Sequence, residues 1–459
     1  MCTDARITAR ARSRFWVWLG VVAAIAQGLA LPASAAEIPL NGDAAESERL
    51  VSEALAANPD VLAAQQALAA SRERVAQARA LPDPVLSVGY TNDGWSPSLG
   101  QQQMTTLAFT ASQDLPFPGK RGLRGDIASR EADQVEQQLA RARLRVAADV
   151  RRAYYGLQLA RELQTLTREL RETWRETEAV VRARYAAGLG AQQDVLRVQV
   201  ELTRVEQSEA EQAAEADIRL AELNRLLARS PDSPIETSGK LTLRPLDRQV
   251  PEVVEQARAV SPELASARLA VERGRLVLAL AQKEYKPDFA LQAGYMNRGR
   301  LDPMWQAGVG VTLPLQRKRR AAAVAEAAAF ADGSKRLVES VELQLRYRTQ
   351  ERFTRLKSTE RIAELYDKGI VPQDRMSVEA ALANYQTSRV PFVTVLEALT
   401  TLYGDQWTLA RLLADHARLA ASLEEASLGE NAEMAAAGGS MPTLGASGAG
   451  ATGGGMSGR

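Results

Sequence analysis

Few side chains in this 459-residue chain can do chemistry. It holds one cysteine, Cys2, and one histidine, His416, so neither an activated nucleophile pair nor a cysteine/histidine metal centre can be assembled from it. His416 lies in LLADHARLAASL, where the pattern reads as a partly exposed helix position. Met434, Met441 and Met456 fall in a Gly/Ala/Ser-rich tail, 429–459, whose low complexity reads as disorder. What remains is carboxylate electrostatics. Asp194 follows the turn YAAGLGAQQD and Glu397 follows YQTSRVPFVT, each about one turn into a returning helix. A carboxylate there interacts favourably with the positive helix end by roughly 0.3–1 kcal/mol. No enzyme activity and no cofactor is expected.

The elements that carry these carboxylates occur twice. Gly188 and Gly190 permit the tight reversal of the first turn, and Ser388 and Arg389 occupy the second. At an offset of 200 residues Tyr185, Val195, Leu196 and Leu202 return as Tyr385, Val395, Leu396 and Leu402; at 198, Leu115–Pro116 returns as Leu313–Pro314; at 203, Pro59, Arg72 and Pro84 return as Pro262, Arg275 and Pro287. The landmarks keep their order, which marks an internal duplication of about 200 residues.

Each copy reads as helix, strand, strand, very long helix, helix. Asn58 and Ser261 are N-caps, with Pro59 and Pro262 at the first helical position. PDFALQAGYMN and MWQAGVGVTLP alternate with period 2 over strand length, and Leu86, Val88, Tyr90, Leu107 and Phe109 do so more loosely in the first copy. After Pro118 no proline occurs before Tyr185, giving a helix of roughly 100 Å at 1.5 Å per residue. Its apolar or small seam runs through Val135, Leu139, Ala142, Val146, Ala153, Gly156, Ala160 and Leu163, and continues in the next helix as Val195, Val198, Leu202 and Val205. That stripe is narrow, with charge on both flanks, as a hollow ring of helices requires. The first copy is read as 48–228, with its hairpin near 84–116 and long helices over 117–228. The second is read as 251–428, with its hairpin near 287–314 and helices over 315–425. Residues 229–250 form a linker at the equator.

Composition supplies the address. Lys and Arg number 57 against 56 Asp and Glu, so charge suggests no nucleic-acid partner. Arg6, Arg10, Arg12 and Arg14 precede FWVWLGVVAAIA, and ASA ends at Ala35, which reads as a signal peptide over 1–35. Its removal takes Cys2 with it. No later stretch reaches the length of a membrane helix, so an exported chain of this kind meets a membrane as β-structure. Four strands cannot close a barrel, and unpaired edges in lipid cost several kcal/mol per group. Copies must combine: two give eight strands and a filled interior, three give twelve and room for water.

The duplicated plan, NPDVLAAQQAL, the strand exits LPFPGKRG and LPLQRKRR, and YQTSRVPFVTVLEALTTLY resemble the TolC-like outer-membrane efflux proteins over roughly residues 48–425. The resemblance implies a mainly α fold with a small β part: a homotrimer with a twelve-strand β-barrel and an α-helical barrel, set in outer-membrane lipid and reaching across the periplasm. It implies a periplasmic adaptor and an inner-membrane efflux pump as partners. It assigns adaptor contact to Gly188, Leu189, Ser388 and Arg389, and a ring at the periplasmic aperture to Asp194 and Glu397. Ser388 departs from the glycine usual there, and Thr394 stands where another acid is common. YDKGIVPQD, with Pro372 expected to kink its helix, looks like the heavy-metal efflux subgroup. A drug or organic-solute duct is the alternative; a soluble periplasmic coiled-coil scaffold is a reading of another class.

Overall fold

The computed structural model describes residues 42–99, 102–237 and 240–425. The leader read at 1–35 and the tail read at 429–459 lie outside them. Helices α1 (Gly42–Ala57) and α2 (Pro59–Arg79) lead into strands β1 (Val85–Thr91) and β2 (Thr106–Leu115), then into α3 (Lys120–Ala186) and α4 (Gln192–Leu226). The order recurs with α5 (Val250–Val260), α6 (Pro262–Lys283), β3 (Asp288–Arg298), β4 (Leu301–Thr312), α7 (Arg317–Leu365), α8 (Val371–Gln386) and α9 (Phe392–Glu425). The molecule is mainly helical, with one small sheet.

The expected pattern starts each copy one helix late, because α5 has only 11 residues and α1 is parted from α2 by Asn58 alone. Asn58 is buried and bonded on both sides. Its Oδ1 accepts the Asp60 N–H at 2.9 Å, and its Nδ2 donates to the Leu226 carbonyl at the end of α4, also at 2.9 Å. The cap therefore fixes a tertiary contact as well as a helix start. Ser261 does the local part of this for α6, accepting from Leu264 N–H.

Three apolar clusters hold the helices. One joins α1 and α2 to α3 and α4 around Leu50, Tyr154 and Leu223; one lies towards the turns around Trp174, Val198, Phe392 and Leu399; the third links α5, α6 and α7 through Leu264 and Leu345. Along α3 the seam residues Leu139, Val146, Ala153, Gly156, Ala160 and Leu163 are all buried. The segment between α4 and α5 has no helix or strand among its described residues beyond the helix ends, yet it is pinned. Ile235 and Leu241 are buried, and Arg161 donates to Thr237 Oγ1 at 2.8 Å. Lys357 Nζ donates to the Leu246 carbonyl at 2.7 Å, and Glu360 accepts the Leu246 N–H at 3.4 Å.

His416 sits beneath that strap. It is 3% exposed, with Nε2 3.7 Å from Glu360 Oε2. The expectation of a partly exposed position is corrected: α9 packs on both α3 and α7, so its covered stripe is wider than a two-sided seam. Burial holds the imidazole pKa below its ordinary value, and the charge of Glu360 offsets that only in part.

Before Pro372, where a kink is expected, a π-helical turn, Tyr366–Ile370, lies between α7 and α8. Proline has no N–H to give and its ring crowds the carbonyl one turn back. Widening the preceding turn, so that Val371 N–H reaches the Tyr366 carbonyl, accommodates both.

Candidate channel wall and helical tips

The sheet is an antiparallel meander, β1-β2-β3-β4. Registered neighbours in such a sheet share a face. Val88 opposes Phe109, Phe109 opposes Tyr295, and Tyr295 opposes Trp305. This apolar row belongs to a face that continues with Leu86, Leu115, Leu291, Phe289, Val309 and Val311. The other face carries Ser87, Thr110, Gly294 and Gln306 in one row, and Ser112, Gln292 and Gly308 in the next. Among the described residues no helix packs on the apolar face: Leu86 is 71% exposed, Val309 67% and Trp305 79%. One face is built for hydrocarbon with an aromatic band, the other for water, and the outer edges of β1 and β4 have no partner strand in the chain.

Where β2 passes into α3, Lys120 is buried, 1% exposed, with Nζ 3.1 Å from Glu284 Oε2 and 3.0 Å from Asp288 Oδ1. Asp288 Oδ1 also accepts the Phe117 N–H at 2.7 Å. This knot ties the first hairpin to the second. Sequence reasoning missed it, since its signal is only the lysine of LPFPGKRG and carboxylates more than 160 residues away.

At the far end the two turns meet. Gly188 has φ 72° and Ser388 φ 60°, both in the left-handed region. A non-glycine residue there costs about 1 kcal/mol; Ser388 offsets it because its Oγ accepts from Arg184 Nη2 at 2.8 Å. Arg184 also donates to the carbonyls of Tyr385 and Gln386, each at 2.6 Å, and to that of Leu189 at 3.1 Å, with its guanidinium 4.6 Å from the Tyr385 ring centroid. Tyr385 Oη in turn lies 3.5 Å from Asp194 Oδ2. Burial, then the Asp194 charge, holds the Tyr385 pKa above its ordinary value, so the phenol stays a donor.

Of the expected positions, the structure gathers Leu189 and Ser388 on Arg184, and Asp194 on Tyr385. Gly188 shapes the turn, Leu189 remains 67% exposed, and Arg389 and Glu397 are exposed without ion-pair partners among the described residues. Arg184 was not expected. Its counterpart 200 residues on is Asn384, so the duplication gave no hint of it.

Residues 50–229 match the family model described as outer membrane efflux protein. The first copy is therefore similar to that family over less than half of the chain. No helix among the described residues is long and apolar enough to cross a membrane. No curated protein matches the sequence. Among solved structures, the outer membrane protein VceC from Vibrio cholerae is 21% identical with a TM-score of 0.71, covering 84% of this chain and 96% of its own. CusC, described in terms of transmembrane channel formation, is 18% identical with a TM-score of 0.69, over 84% and 92%. The open state of the Neisseria gonorrhoeae MtrE outer membrane channel is 16% identical with a TM-score of 0.67, over 83% and 88%. At these identities the likeness is one of fold, and it spans both copies.

The described residues hold no group of three or more His, Cys, Asp or Glu able to bind a metal. One carboxylate pair stands apart. Burial, and then a hydrogen bond and the charge from Asp405 on α9, raise the pKa of Asp374 on α8. The two acids lie on packed helices, just beyond the π turn.

Proposed function

We propose that three copies of the chain form the exit duct of a tripartite efflux system. Their sheets close into a twelve-strand β-barrel across the outer membrane, and their long helices continue its lumen as an α-helical barrel into the periplasm. Solute arrives from an inner-membrane pump through a periplasmic adaptor and leaves without chemical change. The observation that carries this reading is the sheet itself: two dissimilar faces, the apolar one exposed, and two unpartnered edges on only four strands. A soluble scaffold would have no use for exposed Leu86, Val309 and Trp305 in one registered face.

Gly188, Leu189, Ser388 and Arg389 then meet the adaptor as one composite tip joined by Arg184. Asp194 and Glu397 ring the periplasmic aperture, where symmetry sets like charges together and their repulsion favours opening. The cargo assigned here is heavy-metal cations, on the strength of YDKGIVPQD; on the water-facing side the rows around Thr110 and Gln292 carry no charge, and Asp114 stands in the next row. Organic solutes are the alternative cargo.

Two measurements test the proposal. Purified protein in planar bilayers should conduct; a protein that stays in the osmotic-shock fluid and never conducts is a scaffold. A disruption strain should become sensitive to divalent metals, and sensitivity to hydrophobic drugs with normal metal tolerance would transfer the cargo to the organic class.

A further inference from the structure

The collar where strands become helices carries positive charge that folding does not explain. LPLQRKRR, Leu313 to Arg320, holds four cations and no acid. Arg320 is occupied, its Nε donating to the Glu284 carbonyl at 2.8 Å. Arg317, Lys318 and Arg319 are exposed and have no ion-pair or side-chain hydrogen-bond partner among the described residues. They form the first turn of α7, where the helix dipole disfavours cations.

The first copy shows the same junction neutralised. Lys120, 198 residues before Lys318, is buried against Glu284 and Asp288. Moving those two acids back by the copy offset of 203 gives Leu81 and Val85. A neighbouring copy closing the barrel therefore sets apolar side chains opposite the triad, with Asp83 as the acid between them. On the membrane side, Leu313 and Leu315 are 61% and 80% exposed. Exposed leucines followed within four residues by unpaired cations match the order met on leaving hydrocarbon for headgroup phosphates.

We propose that Arg317, Lys318 and Arg319 bind the phosphates of anionic phospholipids in the periplasmic leaflet of the outer membrane. The proposal rests on the membrane reading above. It commits to a lipid because the triad adjoins an apolar belt that a bilayer covers, which neither soluble phosphate nor nucleic acid would do.

The test is native mass spectrometry of the full chain released from membranes containing phosphatidylglycerol and phosphatidylethanolamine. Wild type should retain phosphatidylglycerol. R317Q/K318Q/R319Q should retain roughly tenfold less, with phosphatidylethanolamine unchanged, and the milder K318Q should show a partial loss. Charge-conserving R317K/R319K should retain it, as should K335Q/R336Q, whose cations already pair with Asp332 and Glu339. Equal retention by K318Q and the triple variant relative to wild type overturns the proposal, as does displacement of the lipid by millimolar inorganic phosphate. The same spectra report mass: a trimer indifferent to the triad ends the lipid site alone, whereas a wild type that is monomeric and lipid-free ends the duct reading with it.

Discussion

Arg184 concentrates its contacts between the turns: three of its four hydrogen bonds and a cation–π contact cross from the first tip to the second, and the fourth closes its own turn at Leu189. Two of its acceptors are the Tyr385 and Gln386 carbonyls at the end of α8, where helical partners run out. Glutamine keeps a donor but loses the fork and the charge, so Arg184→Gln should weaken the tip by about 1–3 kcal/mol. In the duct, that biases the aperture towards opening by roughly tenfold or more, read as a raised open probability in planar bilayers at unchanged single-channel conductance. An open probability equal to wild type would mean the latch does not restrain the aperture. Asn384, the counterpart in the second copy, is too short for the same reach. Seams between copies therefore lack this latch, and they are where the ring should part first.

The strap between α4 and α5 belongs to the scale of elements, because Lys357 and Glu360 on α7 hold it while His416 on α9 supports Glu360 from below. Burial lowers the folded-state pKa of His416. The unfolded chain thus takes up a proton near pH 6.5 that the folded chain refuses, so stability is present above that pH and is lost as pH falls towards the folded pKa. Thermal unfolding followed from pH 7.5 to pH 5 should show a falling Tm, and His416→Gln should flatten the part of the decline near pH 6; an identical slope in the variant removes His416 from the explanation. What the sequence made legible here was whatever repeats locally. Period-2 alternation marked β3 and β4, the caps at Asn58 and Ser261 marked α2 and α6, and glycines marked the first tip. The strap, the Lys120 knot and the burial of His416 join residues from 56 to more than 160 positions apart, and no periodicity encodes which charged side chain turns inward. The π turn was not legible because a proline announces a lost hydrogen bond, not how the preceding turn absorbs it.

At the scale of the whole molecule, the duplication converts a contact inside the chain into a contact between chains. Gln113 of β2 opposes Leu291 of β3. Carrying Gln113 forward by 198 and Leu291 back by 203 gives Val311 of β4 and Val88 of β1, the two unpartnered edges. If copies close the barrel as the sheet closes on itself, Val311 of one copy stands opposite Val88 of the next, with Cα atoms about 4.5–5.5 Å apart. That lies within the range of a disulfide. Cys2 is the sequence's one cysteine, so with Cys2 replaced by serine the introduced cysteines have no native competitor. V88C/V311C oxidised in membranes should give dimers and trimers on denaturing gels that collapse to monomer on reduction. L86C/V311C, two residues out of register and about 7–8 Å away on the diagonal, should cross-link several-fold less. Efficient linkage of the shifted pair would require a different register at the seam. Linkage of neither pair, in protein that conducts, would mean that the lumen is closed by something other than a ring of these sheets.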